Sequence, residues 1–435
     1  MLPITRDNYS FLCDIFATKP QYGVVLSGIV GSGKTFLVNQ LCPEFERMGY
    51  TVLRFEGDDV KFRSLVKRDT YFFINEIKSQ GAERPLIVID EAQKEAEIFD
   101  ALKLAFDKAN ALFLVTGSNP RFLQVEAQHR LQRRGRIVPM LPLSIGELVK
   151  HREPDLRKFD GLFVSILTKN TSLAELKLEK IKTPGEIDQL ISEYLKFGGL
   201  PSLLNIIKSA DKMLFVKLVA ERGITDTYIK TQSVTDEVRR YLAMSNSQEF
   251  TYQGIHQAIR STKRREVDDI VDHLLNFGYI LKKRPYLGEF EMKKKTYFAT
   301  YSWIDPGFVS YFTGDLNAND QNNGFRLEAS IHAKLFQIVE NLSFSASIFY
   351  YKPYAQKEST GDLFFLKGEI DFILRIGSKI IPIEVKMGTN TRNFQLDTIK
   401  KFVSENKLEY GIVLYGGSPF IDEDAKLVYY PYWLI

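Results

Sequence analysis

The chain has 435 residues, 44% of them hydrophobic and 26% charged, with 58 Lys or Arg against 54 Asp or Glu and a formal net charge of +4. That profile fits a folded globular protein of about three domains, at roughly 100–200 residues per domain, and excludes a disordered or fibrous chain. No run of about 18 apolar residues offers a bilayer span, the first residues hold no apolar signal core, and two cysteines (Cys13 and Cys42) make neither a disulfide scaffold nor a metal knuckle, so a reducing cytoplasm without a membrane partner is expected.

Residues 5 to 17 place Tyr9, Phe11, Leu12, Ile15 and Phe16 at helical spacing, predicting a helix ahead of the first strand. The chain then reads Val24-Val25-Leu26-Ser27-Gly28-Ile29-Val30-Gly31-Ser32-Gly33-Lys34-Thr35, a strand feeding the phosphate-loop pattern G-x-x-x-x-G-K-[ST]. Gly28, Gly31 and Gly33 let backbone amides, Ser32 included, turn inward around the phosphates of ATP, with Lys34 reaching the β and γ phosphates and Thr35 ligating Mg2+. Phe36 opens the helix that follows, its N-terminus aimed at the anion. The plain alternative is a glycine turn in an ordinary α/β protein.

Thr51–Phe55 predicts a second strand, and Pro85-Leu86-Ile87-Val88-Ile89-Asp90-Glu91 a central parallel strand ending in two carboxylates, about 55 residues after Lys34. Asp90 would hold the Mg2+ shell and Glu91 would take a proton from the attacking water. A further strand over 111–116 ends in Gly117-Ser118-Asn119, where Asn119 can sense the γ phosphate. Phosphate loop, Ile-Asp-Glu and Thr-Gly-Ser-Asn in this order resemble AAA+ ATPases. With Arg133-Arg134-Gly135-Arg136-Ile137 and Leu141-Pro142-Leu143-Ser144, they resemble a prokaryotic AAA+ group that carries a C-terminal restriction-endonuclease-like domain. The resemblance implies an arginine finger reaching a neighbouring subunit's site, hence a homo-oligomer; Arg136 is the first candidate, with Arg133 and Arg134 as rivals.

Residues 146 to 215 carry helical periodicity without strand alternation, and the resemblance places a helical lid there. In Phe197-Gly198-Gly199-Leu200-Pro201 one helix ends and another starts; by resemblance Pro201 packs on the adenine. From 216 to 315, predicted helices near 234–244, 251–259 and 264–275, followed by strands beginning at Gly278 and at Lys294, resemble a winged helix. Residues 220–300 hold 14 Lys or Arg against 11 Asp or Glu, clustered at Arg260, Lys263, Arg264 and Arg265 and on the wing at Lys282, Lys283, Arg284 and Lys293–Lys295. Such clusters fit the phosphates of duplex or branched DNA, or else a solvated or protein-docking face.

Residues 316–324 predict a linker, Phe325–Val339 an amphipathic helix, and 347–354, 368–375 and 379–386 three strands, the last two a hairpin. Period two puts Glu384 and Lys386 on one face, with Asp371 on the other arm; two carboxylates beside a lysine can hold Mg2+ and activate water. Asp-(x12)-Glu-x-Lys resembles the PD-(D/E)xK nucleases, and by that resemblance Glu328 adds a helix carboxylate. Ile370 stands where the family's proline would be, and the same residues could form a solvated ion pair.

The expected fold is therefore multidomain α/β: an AAA+ P-loop parallel sheet (1–145), helical lid (146–215), winged helix (216–315) and restriction-endonuclease-like α/β domain (316–435). The expected function is ATP hydrolysis coupled to DNA binding or processing, with possible endonuclease activity. The alternative is a regulatory ATP switch or a DNA remodeller whose nuclease-like domain serves assembly.

Overall fold

The computed structural model describes residues 4–18, 20–179, 181–222, 232–250, 252–259, 264–288, 299–316, 320–342, 344–356 and 363–435. Five parallel strands, β1 (Gly23–Ser27), β2 (Thr51–Glu56), β3 (Pro85–Asp90), β4 (Leu112–Gly117) and β5 (Gly135–Pro139), lie in the order β2-β3-β4-β1-β5. The aliphatic runs of β1, β3 and β4 are buried on both faces, as central parallel strands must be. Alternation divides their cover. Val24, Leu26 and Val88 pack against helices Asp7–Ala17 and Lys34–Arg47, while Val25, Ile87 and Ile89 pack under Val60–Arg68, Phe72–Ser79 and Glu97–Ala109.

The second sheet has nine strands: β6 (Glu249–Phe250), β7 (Ile280–Pro285), β8 (Ala299–Trp303), β9 (Ala346–Tyr351), β12 (Ile370–Ile376), β13 (Lys379–Lys386), β14 (Gly411–Tyr415), β15 (Phe420–Asp422) and β16 (Leu427–Pro431). A separate antiparallel pair is made by β10 (Tyr354–Gln356) and β11 (Leu363–Phe365). The nine-stranded order is β15-β16-β14-β13-β12-β9-β7-β8-β6. Strands β9, β12 and β13 are antiparallel neighbours, and β14 runs parallel to β13 after the helix Asp397–Glu405. Helices Gln232–Met244, Tyr252–Ile259 and Arg264–Asn276 precede the β7–β8 hairpin, in the expected order. The hairpin is not a free wing. Arg284 and Pro285 pair in parallel with Phe349 and Tyr350, so one sheet runs through the third and fourth expected domains.

Two further expectations are corrected. The stretch 316–324 is not all linker, because a 22-residue helix, Asp320–Asn341, begins inside it. The helices of 146–215 do not form a free-standing lid. Ile166, Leu167, Leu190, Ile191 and Leu195 share a core with Leu327, Ile331, Ile383 and Ile412 of the C-terminal unit, whereas Leu200, Val216 and Val219 join Val238, Val267 and Leu274. The physical reason is layering: one-sided apolar helices need a second layer, and the C-terminal sheet and the three-helix unit supply it.

Candidate functional site

The phosphate loop follows β1 at the carboxyl edge of the parallel sheet, and the helix Lys34–Arg47 starts directly after it. Gly31 and Gly33 adopt φ of +79° and +90°, left-handed values that side-chain-bearing residues resist. The helix's first-turn amides have no partners within the helix and face the loop's concavity as anion donors. Lys34 is 5% exposed, and its ammonium folds back onto the carbonyls of Gly28 and Ile29, 3.0 Å from each. Burial pulls its pKa below the ordinary lysine value, opposed by the charges of Glu91 and Asp90. Both acids therefore lie near the loop.

Thr35, at the exposed mouth of the loop, donates to Asp90 Oδ2 at 2.6 Å, and Thr116 of β4 donates to Asp90 Oδ1. A hydroxyl and a carboxylate held together at a phosphate loop suit Mg2+, which Thr35 and Asp90 would hold. Glu91 has φ +54°, an uncommon conformation for a residue with a β-carbon. Its backbone amide donates to Thr116 Oγ1 at 3.1 Å, and its carboxylate accepts from Ser118 Oγ at 2.7 Å and from Gln93.

The turn after β4 is used differently from the expectation. Asn119 caps the helix Pro120–Glu126 by accepting from the Phe122 amide at 3.0 Å, so Ser118, not Asn119, is its residue on Glu91. Pro201 does lie over the loop: a β-carbon on Gly33 would stand 3.1 Å from its Cγ, and Leu200 and Val219 line Gly31. Arg136 is already committed within its own chain. Its guanidinium donates to the carbonyls of Asn341 (2.7 Å) and Leu342 (3.4 Å) at the end of the long helix and lies 5.2 Å from the Phe11 ring centroid. Arg134 pairs with Asp107, while Arg133 is exposed.

Arg6 carries a role that sequence reasoning missed. Fully buried, it donates to Glu147 Oε1 (2.8 Å), to the Ser32 carbonyl inside the phosphate loop (2.8 Å) and to the Leu141 carbonyl (2.6 Å). Its partner Glu147 is fixed by a capping box with Ser144, a signal the sequence did contain. Nothing in the local pattern around Arg6 shows that it turns inward.

The second site gathers Glu328 from the long helix with Asp371, Glu384 and Lys386 from β12 and β13. Asp371 Oδ2 accepts from the Val385 amide at 2.6 Å, and Lys386 donates to Glu384 Oε1 at 2.7 Å. Burial raises the pKa of Glu328, Asp371 and Glu384; the charge of Asp371 raises those of the two glutamates further, and nearby lysines oppose the shift. Glu384 Oε2 is buried with no hydrogen-bond partner among the described residues. A further cation enters from outside this unit: Lys283 of β7, 1% exposed, donates to Glu328 Oε1 at 2.9 Å and to the Asp371 carbonyl at 2.7 Å.

Lys283 was expected on a DNA-facing wing. The alternation of β7 puts it inward, with Leu281 and Pro285, while Lys282 and Arg284 are exposed. Of the other basic residues, Arg265 is exposed; Arg260, Lys263 and Lys293–Lys295 lie outside the described residues. Among the described residues, no group of three or more His, Cys, Asp or Glu is gathered closely enough to hold a metal ion. As arranged, the Asp371–Glu384 pair does not fit Mg2+, because the Val385 amide takes Asp371 Oδ2, Lys386 takes Glu384 Oε1 and the Lys283 ammonium stands beside Asp371.

Residues 21–149 match the model of an AAA domain and residues 323–434 that of a domain of unknown function, DUF4143. The phosphate loop, Asp90 and Glu91 thus belong to an AAA-type P-loop domain. An uncharacterized protein of Haemophilus influenzae is 24% identical over 423 residues, covering 91% of this chain and 90% of that protein. One of Methanocaldococcus jannaschii is 24% identical over 277 residues, 60% of this chain and 57% of that protein, so the match spans little more than half of that relative. Solved structures with some likeness include a replication initiator DnaA bound to AMPPCP and single-stranded DNA (16% identity, 62% of this chain and 88% of that one, TM-score 0.28). Another is AMPPCP-bound DnaA from Aquifex aeolicus (15%, 63% and 89%, TM-score 0.25). Likeness at that level supports no conclusion here.

Proposed function

We propose that the protein is an ATP-hydrolysing AAA+ machine whose nucleotide state governs the grip of its three-helix, winged unit on duplex or branched DNA. The observation that carries the reading is the arrangement of Lys34, Thr35, Asp90, Glu91 and Ser118 around one loop. In it, Lys34 exchanges the Gly28 and Ile29 carbonyls for phosphate oxygens, and Thr35 with Asp90 would hold Mg2+, which would supply positive charge against the phosphates. Glu91, oriented by Ser118 and Gln93, accepts the proton of the attacking water. Arg133, exposed in the middle of the 3-10 turn Gln132–Arg134, replaces Arg136 as the candidate finger between subunits.

Nucleotide binding and phosphate release on the purified chain test this. Lys34→Ala should abolish ATP binding, and Glu91→Gln should bind ATP but not turn it over; normal turnover in either variant overturns the assignment.

For the C-terminal unit, the helix–three strands–helix–strand order and the Asp371, Glu384, Lys386 and Glu328 set support a PD-(D/E)xK-type centre. A second reading, a centre that does not cut and serves assembly or remodelling, is favoured by Lys283 sitting among those carboxylates. Incubation with linear and branched duplexes and Mg2+ or Mn2+ separates the two. Cleavage lost in both Asp371→Ala and Lys386→Ala supports a nuclease; intact ATPase with no cleavage supports the second reading.

A further inference from the structure

Three carboxylates, Glu328, Asp371 and Glu384, lie near one another in the C-terminal unit without being gathered, as they stand, closely enough to hold a metal ion, and two ammonium groups, Lys283 and Lys386, answer them. Lys386 belongs to the same strand as Glu384. Lys283 does not belong to this unit by sequence: it is delivered by β7, from the hairpin that follows the three-helix unit. Its Nζ sits between a side-chain and a main-chain oxygen of two different elements and lies 4.0 Å from the Phe372 ring centroid. A buried ammonium is tolerated only where such partners replace its water, so the centre and the lysine stabilise each other.

The strand that carries Lys283 joins the C-terminal sheet over a short ladder, beyond which Tyr286 packs on Phe349 and Phe402. Its parallel ladder to β9 consists of Arg284↔Phe349 and Pro285↔Tyr350, extended by the Tyr286 amide donating to the Tyr350 carbonyl at 2.6 Å. A second bridge spans the same seam, Lys352 Nζ to Glu249 Oε2 of β6 at 2.8 Å. One oxygen of the centre remains unanswered, Glu384 Oε2, buried without a partner among the described residues. A divalent cation there would stand against the charges of both Lys283 and Lys386, and like charges in a dry site repel strongly.

We propose that Lys283 is the resident cation of the carboxylate centre: with β7 paired to β9, its ammonium takes the ground a divalent metal would need and keeps metal out. This rests on reading the centre as PD-(D/E)xK-like. It places control of the C-terminal chemistry in the DNA-facing unit, since the hairpin that would meet DNA also holds the plug.

The test is Mn2+ binding to the full-length, nucleotide-free chain, read as free Mn2+ by electron paramagnetic resonance. Lys283→Met should gain one Mn2+ site, tighter by about tenfold or more than any in the unaltered chain, the scale on which neighbouring groups set metal affinity. That gain should survive Asp90→Asn, which removes the phosphate-loop site, and vanish with Asp371→Asn. The proposal is overturned if the unaltered chain already binds Mn2+ tightly in an Asp371-dependent way, a result needing no Lys283 variant. It is also overturned if Lys283→Met, folded by circular dichroism and still binding ATP, gains no site. Should Lys283→Met misfold, Lys283→Gln, which keeps a donor without the charge, takes its place under the same criteria. A variant that gains the metal site yet cuts no DNA leaves this inference standing and sinks the nuclease reading instead.

Discussion

Arg6 offers the most direct test of how the phosphate loop is held. Its guanidinium and the Glu147 carboxylate are each 1% exposed, and three bonds of 2.6–2.8 Å tie Arg6 to Glu147, Ser32 and Leu141. Glu147 accepts further bonds from the Asp7 amide at 2.8 Å and the Ser144 amide at 2.9 Å. Arg6→Met leaves a buried carboxylate without its cation and two carbonyls without donors, a loss of about 3–5 kcal/mol for breaking such a pair from one side. At roughly 2–4 °C per kcal/mol for a domain of 150–250 residues, the AAA unit should melt about 6–20 °C lower. Differential scanning calorimetry with and without ATP reads the shift, and ATP affinity should fall as well, because the Ser32 carbonyl loses its anchor. The decisive variant is Arg6→Met with Glu147→Met, which removes both charges and should recover much of the loss. A single variant within about 1 kcal/mol of the parent, or a double variant as costly as the sum of the singles, refutes the account.

Two other predictions concern single side chains. Ser118→Ala should slow ATP turnover with ATP binding retained, because Glu91 loses an orienting donor. Asn119→Ala should instead cost about 0.5–2 kcal/mol of stability as a lost helix cap, with turnover close to the parent's; the reverse pattern in a phosphate-release assay restores Asn119 as the sensor. Burial pushes the Asp305 carboxyl up to about 7, against the Gly199 and Gly307 amides that each donate to it at 2.8 Å. The folded chain thus keeps that proton to higher pH than the unfolded chain, whose carboxyl ionises near 3.8, and ionisation costs stability as pH rises through this window. Asp305→Asn should therefore gain on the parent in melting temperature from pH 5 to pH 8; a pH-independent difference between the two refutes the shift.

The AAA unit was legible because its signals are local and backbone-driven. A glycine loop between a buried strand and a helix, and four aliphatics ending in Asp90-Glu91, allow few other geometries. The order of the C-terminal elements was legible for the same reason, as was burial of Trp433, whose indole donates to the Gly416 carbonyl at 2.9 Å. What local pattern did not reveal were partners distant in the chain. Arg136 looks like any arginine after a sensor strand, yet its partners lie some 205 residues on. Residues 146–215 have helical periodicity whichever layer covers them, so their packing on the C-terminal sheet follows from tertiary structure alone. Lys283 was misplaced by counting charges where alternation along β7 would have sorted them.

The long helix Asp320–Asn341 is gripped by Arg136 at its last residue and by Asp7 through Lys334, and it bears Glu328 six residues before Lys334. It is a rod clamped to the AAA unit along its C-terminal half, and between Lys334 and Glu328 it measures about 9 Å at 1.5 Å per residue. A tilt of about 5° at the Lys334 clamp would carry Glu328 through about 0.8 Å on that arm, more than a quarter of the length of its bond to Lys283. Any turn of the AAA unit about that clamp would thus reach the carboxylate centre along one continuous helix.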